Sequence, residues 1–205
     1  MEKSKQFVLE NDIASIPEGE KLTIVETPEY LRPIIPYAAY MQPGIFEDEL
    51  EGLFLVTPVN PDSSDEEIEE KLKGHYYAKL PITTLHEGYP GHHLQLLWSV
   101  THGSDVRQLG KFFSTLFIEG WAFYCEELME EMGYIDSSIQ KLGRLSDQLW
   151  RAARIILDVN LHCKGSGRKV SIRKGQCHSR SQEIQFYSYT ASVIFDGKKR
   201  DIKDN

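Results

Sequence analysis

His86-Glu87-Gly88-Tyr89-Pro90-Gly91-His92-His93 is the stretch around which the rest of the chain is organised. Ligand-type imidazoles stand at both ends. A carboxylate follows the first, and a Pro-Gly wedge separates them. Three of the seven histidines of the chain fall here. The common zinc-peptidase signature puts histidines at i and i+4 on one helix, with glutamate at i+1. Here i+4 is Pro90, so the simple signature is broken. On an unbroken helix, i+6 points about 240° away from His86 while i+7 returns to within about 20°. That geometry favours His93 as the second ligand. Pro90 and Gly91 argue against an unbroken helix, since one lacks a backbone donor and the other loosens the chain. With Tyr89-Pro90 read as a two-residue bulge, His92 takes the second-ligand place. His92 is therefore preferred, with His93 as the alternative ligand or a supporting group.

Working outward, the chain turns helical from Thr83. Phe112 to Met132 has apolar residues on most of its circumference, the pattern of a helix buried on nearly all sides. Ser137 to His162 is a second long helix, with Ile139, Leu142, Leu145, Leu149, Ala153 and Ile156 recurring at threes and fours. A polar stripe on it runs through Arg151, Arg154, Asp158 and His162. Residues 1–60 are proline-rich and look extended, with short strands expected at Lys21 to Glu26 and Gly52 to Thr57. Tyr30 to Tyr40 reads as a segment that packs on something else. Ser64 to Leu72 reads as a short helix opened by serine and aspartate. The expectation is a mainly α fold: a helical, zincin-like catalytic half with a short β-containing N-terminal segment. It places one partial catalytic domain over 1–165 and a compressed continuation of it over 166–205.

A catalytic zinc site uses three protein groups and keeps a position for water. His86 is one candidate, and Glu87 beside it suits the general base. Glu119 is the candidate third ligand. It lies in the apolar run Phe112–Tyr124, where an ionised carboxylate costs several kcal/mol unless paired or metal-bound. Glu126, seven residues on and on the same face, suits a supporting partner. Each residue also has an ordinary reading. A single histidine is commonly solvent-facing, and Glu119 could pair with Arg151 or Arg154. Taken together, the cluster favours a metal.

The net charge of −8 argues against a nucleic-acid partner, because phosphate binding needs clustered Lys and Arg. No apolar run is long enough to span a membrane. The three cysteines, Cys125, Cys163 and Cys177, have neither disulfide-framework nor zinc-site spacing. A cytoplasmic location is the default, replaced by export if the true N-terminus lies upstream of Met1. No GxSxG elbow or phosphate-cradling loop appears, and Cys125 has no activating neighbour in its apolar helix.

Two motifs, His86-Glu87-Gly88-Tyr89-Pro90-Gly91-His92-His93-Leu94-Gln95 and Glu119-Gly120-Trp121-Ala122, carry a resemblance. So do Glu26–Pro33, Pro36–Tyr40 and Leu149–Arg154. The chain resembles a bacterial domain-of-unknown-function family read as gluzincin-like zinc metallopeptidases, over roughly residues 5 to 165. The resemblance implies a largely helical peptidase with zinc on His86, His92 and Glu119, Glu87 as base, and a peptide substrate. It implies that His162, Tyr187 or Tyr189 holds the oxyanion, and Arg151 and Arg154 are further candidates for substrate contact. Members are usually much longer, so an N-terminal half of the channel is expected to be missing. Past Gly165 the match degrades. Two alternatives stay open: a non-catalytic metal-binding fragment of a longer enzyme, and a structural or interaction domain without metal.

Overall fold

The computed structural model describes residues 1–163 except 46, 48, 74, 75 and 109–113. The described chain is mainly α-helical with a short β-containing N-terminal segment. It divides into two compact units, Met1–Asn60 with His75–Arg144, and Pro61–Gly74 with the chain from Leu145 onward.

The first unit opens with helix α1 (Glu2–Glu10), followed by strands β1 (Lys21–Glu26), β2 (Ala38–Met41) and β3 (Glu51–Val56). The strands form one sheet in the order β1-β3-β2, with β1 parallel and β2 antiparallel to β3. The two β-rich runs of the sequence become β1 and β3. Central β3 buries Gly52, Phe54 and Leu55, as a strand flanked on both edges should. Edge strand β2 ends the Tyr30–Tyr40 segment and is too short to show an alternating pattern. Helix α1 corrects the expectation that residues 1–60 are extended. A nine-residue helix has little stability of its own and is held by packing. Here Ser4 and Val8, one turn apart, are fully buried.

Helices α3 (Leu80–Glu87), α4 (His92–His102), α5 (Asp105–Gln108) and α6 (Thr115–Glu131) complete this unit, together with the first turns of α7 (Ser138–Cys163). Val8, Ile82, Leu85, Tyr89, Leu94 and Met129 form the core between α1, α3, α4 and α6. Ser114 caps α6 by accepting the Phe117 N–H at 3.2 Å.

The expectation that α6 is buried on nearly all sides is corrected. Its buried set is Ala122, Cys125, Glu126 and Met129, spaced at threes and fours along one face. Leu116, Phe117 and Tyr124 are exposed. A helix apolar all round shows no preferred face, and the packing against α3 and α4 selects one.

The second unit contains α2 (Asp65–Lys73) and the rest of α7. The acidic block Pro61–Glu70 supplies the start of α2. Ser64 Oγ accepts the Glu67 N–H at 3.3 Å while the Glu67 carboxylate accepts the Ser64 N–H at 3.0 Å, a reciprocal capping box. Along α7 the apolar positions Leu145, Leu149 and Ile156 are exposed. No helix among the described residues is long and apolar enough to cross a membrane.

Candidate metal centre

The helix that carries His86 ends one residue later. The Gly88 N–H still bonds the Thr84 carbonyl at 2.9 Å. The chain then turns through Gly88–Gly91, with a cis Tyr89–Pro90 peptide, and restarts as α4 at His92. Gly91 sits hard against the end of α3. Its N–H donates to the Leu85 carbonyl at 3.0 Å. A Cβ there would stand 1.8 Å from the His86 carbonyl oxygen and 2.4 Å from that of Leu85. Any side chain would push the two helices apart. The Pro-Gly wedge therefore makes two helices out of one, and helical-wheel angles no longer relate His86 to His92 and His93.

The break turns the His86 and His92 rings edge to face, with centroids 4.8 Å apart and planes at 88°. Glu119 joins them from α6, its carboxylate 3.8 Å from His92 Nε2. One donor atom from each of His86, His92 and Glu119 lies within 4.8 Å of the others. Two imidazoles and a carboxylate are a donor set that zinc accepts in open catalytic sites. Donors around a tetrahedral zinc lie about 3.4 Å apart. The group is slightly wider than that, and Glu119, with its side chain 53% exposed, has the rotamer freedom to close on an ion. The three residues fit a metal.

That exposure corrects the expectation that the Glu119 carboxylate is buried in an apolar helix. The buried carboxylate of α6 is Glu126, 1% exposed, and it meets His86 Nδ1 at 2.8 Å. A carboxylate behind a ligand histidine fixes its tautomer and ring plane. Two further cross-links bracket Glu119 from either side. Gln95 donates its side-chain amide to the Phe117 carbonyl at 3.0 Å, and the Trp121 indole N–H donates to the Pro90 carbonyl at 2.8 Å. These hold the Glu119-bearing turn of α6 against the histidine turn. Glu87, largely buried, receives the Tyr40 backbone N–H on Oε2 at 2.9 Å.

His93 turns away from the cluster. Fully buried, it meets Glu20 through Nε2 at 2.7 Å and the Tyr40 hydroxyl through Nδ1 at 3.1 Å. Glu20 also accepts from Tyr89 at 2.6 Å and pairs with Lys5 at 2.5 Å. Burial alone would raise the Glu20 carboxyl. The hydrogen bonds from His93, Lys5 and Tyr89 together outweigh it and hold the group down at about 2. Burial, with the Glu20 charge, pushes the Tyr40 and Tyr89 hydroxyls well above the usual range, so both stay protonated.

Of the remaining sequence candidates, His162, Arg151 and Arg154 lie on α7 in the second unit, where His162 Nδ1 faces Asp158 of its own helix at 3.1 Å. Tyr187 and Tyr189 lie outside the described residues. Gln95 and Trp121 were legible as parts of motifs, and Gln95 shares the His92 face at i+3. Glu20 and Tyr40 carried no local signal, because their partners are 73 and 53 residues away.

Among curated proteins none matches the chain. Similar solved structures include the following two. One, described as a candidate lipoprotein of unknown function from Shewanella oneidensis, is 30% identical over 80% of this chain, with a TM-score of 0.64. The other, a candidate lipoprotein from Colwellia psychrerythraea, is 23% identical over 80% of this chain, with a TM-score of 0.59, and shows the fold alone. The matched region makes up only 28% and 27% of those two chains. The family model for the bacterial protein of unknown function DUF885 matches residues 1–191, and the chain belongs to that family.

Proposed function

We propose that the chain carries the zinc-binding and proton-handling half of a peptidase. The convergence of His86, His92 and Glu119 donor atoms within 4.8 Å, with Glu87 the residue next to His86 in the sequence, supports this reading. His86, His92 and Glu119 would hold the ion. An ion held by these three residues would supply Lewis acidity for the attack of water on a peptide carbonyl. The other steps belong to the protein. Glu126 keeps the His86 ring in one tautomer through Nδ1. Glu87 is fixed at Oε2 by the Tyr40 amide, and its carboxylate takes the proton from water and passes it to the leaving amine. Gln95 and Trp121 keep Glu119 at the rim of the site.

The test pairs metal analysis of the purified protein with turnover of a short-peptide mixture. Glu87→Gln should keep its zinc and lose at least about a hundredfold in kcat, while His86→Ala should lose the zinc. Absence of zinc after reconstitution sinks the reading. A second reading, a metal-binding portion without turnover of its own, is favoured by one observation. The matched region is 28% of the Shewanella oneidensis chain. Bound zinc with no turnover of any peptide would establish it. The lipoprotein description of the Shewanella oneidensis relative supports an exported location over the cytoplasmic default. Detection in the envelope fraction of the source cells checks that.

A further inference from the structure

The cluster around His93 contains none of the three proposed metal ligands, yet it gathers charge from far along the chain. Lys5 comes from α1, Glu20 from the turn before β1, Tyr40 from β2, Tyr89 from the histidine turn and His93 from α4. Burying a carboxylate and an imidazole together is costly unless each polar atom is met. Here the bonds run in a line. Ionised Glu20 accepts from His93 Nε2–H, and His93 Nδ1 meets the Tyr40 hydroxyl on the other side of the ring. The Tyr89 and Tyr40 rings meet the His93 ring edge on, with centroids 5.0 and 5.3 Å away, and leave it one orientation. From Tyr40 the line continues through its own main chain, whose N–H donates to Glu87 Oε2 at 2.9 Å.

The neighbouring strand makes room for this. Gly52 of β3 lies two residues from Phe54, the ladder partner of Tyr40, and so on the same face. A Cβ at Gly52 would come within 2.6 Å of the Tyr40 ring and 2.8 Å of His93 Nδ1. The side-chain end of Tyr40 is thus locked to α4, while its backbone end, on the outer edge of the sheet, reaches Glu87 at the end of α3. A network serving only to fill the core would close on itself. This one ends at the proposed base.

We propose that Glu20, His93 and Tyr40 form a positioning line for Glu87, pinning edge strand β2 so that the Tyr40 amide holds one carboxylate oxygen in place. The inference rests on the reading of Glu87 as the base. Tyr40 and His93 are positioning residues; they do not touch substrate.

The test uses the full chain with Tyr40→Phe, His93→Phe and His93→Gln, and three readouts: zinc retention against a chelator, the Tyr40 amide signal and its hydrogen exchange by NMR, and kcat and KM on a short-peptide mixture. In Tyr40→Phe and His93→Phe, kcat should fall about tenfold or more. KM and zinc affinity should stay within about twofold, and the Tyr40 amide should lose protection. Glu87→Gln should shift the same amide signal. His93→Gln, which can still donate to Glu20, should recover part of the loss. If His93→Phe fails to fold, Tyr40→Phe, which deletes one hydroxyl, decides. An unchanged Tyr40 amide together with an unchanged kcat overturns the proposal. So does a loss spread equally over kcat, zinc affinity and stability, which would mark a purely structural role. If the unaltered chain cleaves no peptide, the functional reading falls alone, and the amide signal in Tyr40→Phe still decides whether the line positions Glu87.

Discussion

His86 Nδ1 and the Glu126 carboxylate lie 2.8 Å apart, with Glu126 almost completely excluded from solvent. A buried carboxylate in this place raises the basicity of the imidazole and holds its ring in one plane. Glu126→Gln keeps the shape of the side chain and removes the charge. Zinc affinity should fall about 10- to 100-fold in that variant, measured by chelator competition, with the fold retained. Equal affinities would remove Glu126 from the metal centre.

Gly91 and Gly120 make opposite predictions. Both sit in the two sequence motifs, but only Gly91 is crowded. A Cβ at Gly91 would overlap the carbonyls of His86 and Leu85, whereas one at Gly120 would meet nothing within 4 Å. Gly91→Ala should cost more than about 3 kcal/mol in urea unfolding and abolish zinc binding. Gly120→Ala, in an exposed helical position, should stabilise by up to about 1 kcal/mol. The reverse order would show that the turn is not held by this contact.

Glu20 sets a window of acid sensitivity. Its carboxyl is held at about 2, below the ordinary value of 4.5, so the folded state favours the ionised form. That contribution is complete above about pH 4.5 and is lost as the pH falls toward 2. Unfolding free energy measured across this range should drop by up to roughly 3 kcal/mol. Glu20→Gln should start less stable at neutral pH and show a shallower fall. A parallel curve for the variant would place the acid sensitivity elsewhere.

Cys125 should be chemically silent. It is fully buried, and burial followed by the adjacent Glu126 charge pushes its thiol up to about 12. Iodoacetamide at pH 8 should leave the Cys125 peptide unmodified in the native protein and alkylate it once urea unfolds the chain. Native-state labelling would revive a thiol nucleophile.

The local patterns were strong enough to place most elements. β-rich runs marked β1 and β3, apolar residues around most of the circumference marked α6, and the threes-and-fours spacing marked α7. Serine and aspartate marked the start of α2. Helix α1 escaped because nine residues with few apolar positions make no periodic signal, and its stability comes from what it packs against. The buried face of α6 was likewise undetermined, since apolar residues ring the helix and only its neighbours choose among them.

The sequence by itself determined the inventory of the candidate centre. His86, Glu87, the histidine pair and a glutamate on a later helix are readable from residue types and spacing. The tertiary structure decided which of these meet. Gly91, pressed on the end of α3, splits the helix and turns His92 toward His86 while His93 goes to Glu20. The packing of α6 brought Glu119 to the rim, against what its apolar surroundings suggested, and Glu126 into the interior. Hydrogen bonds and exclusion from solvent depend on distances through space, and the partners of Tyr40 and Glu20 lie dozens of residues away along the chain. Local chemistry can name such groups, but only packing can pair them.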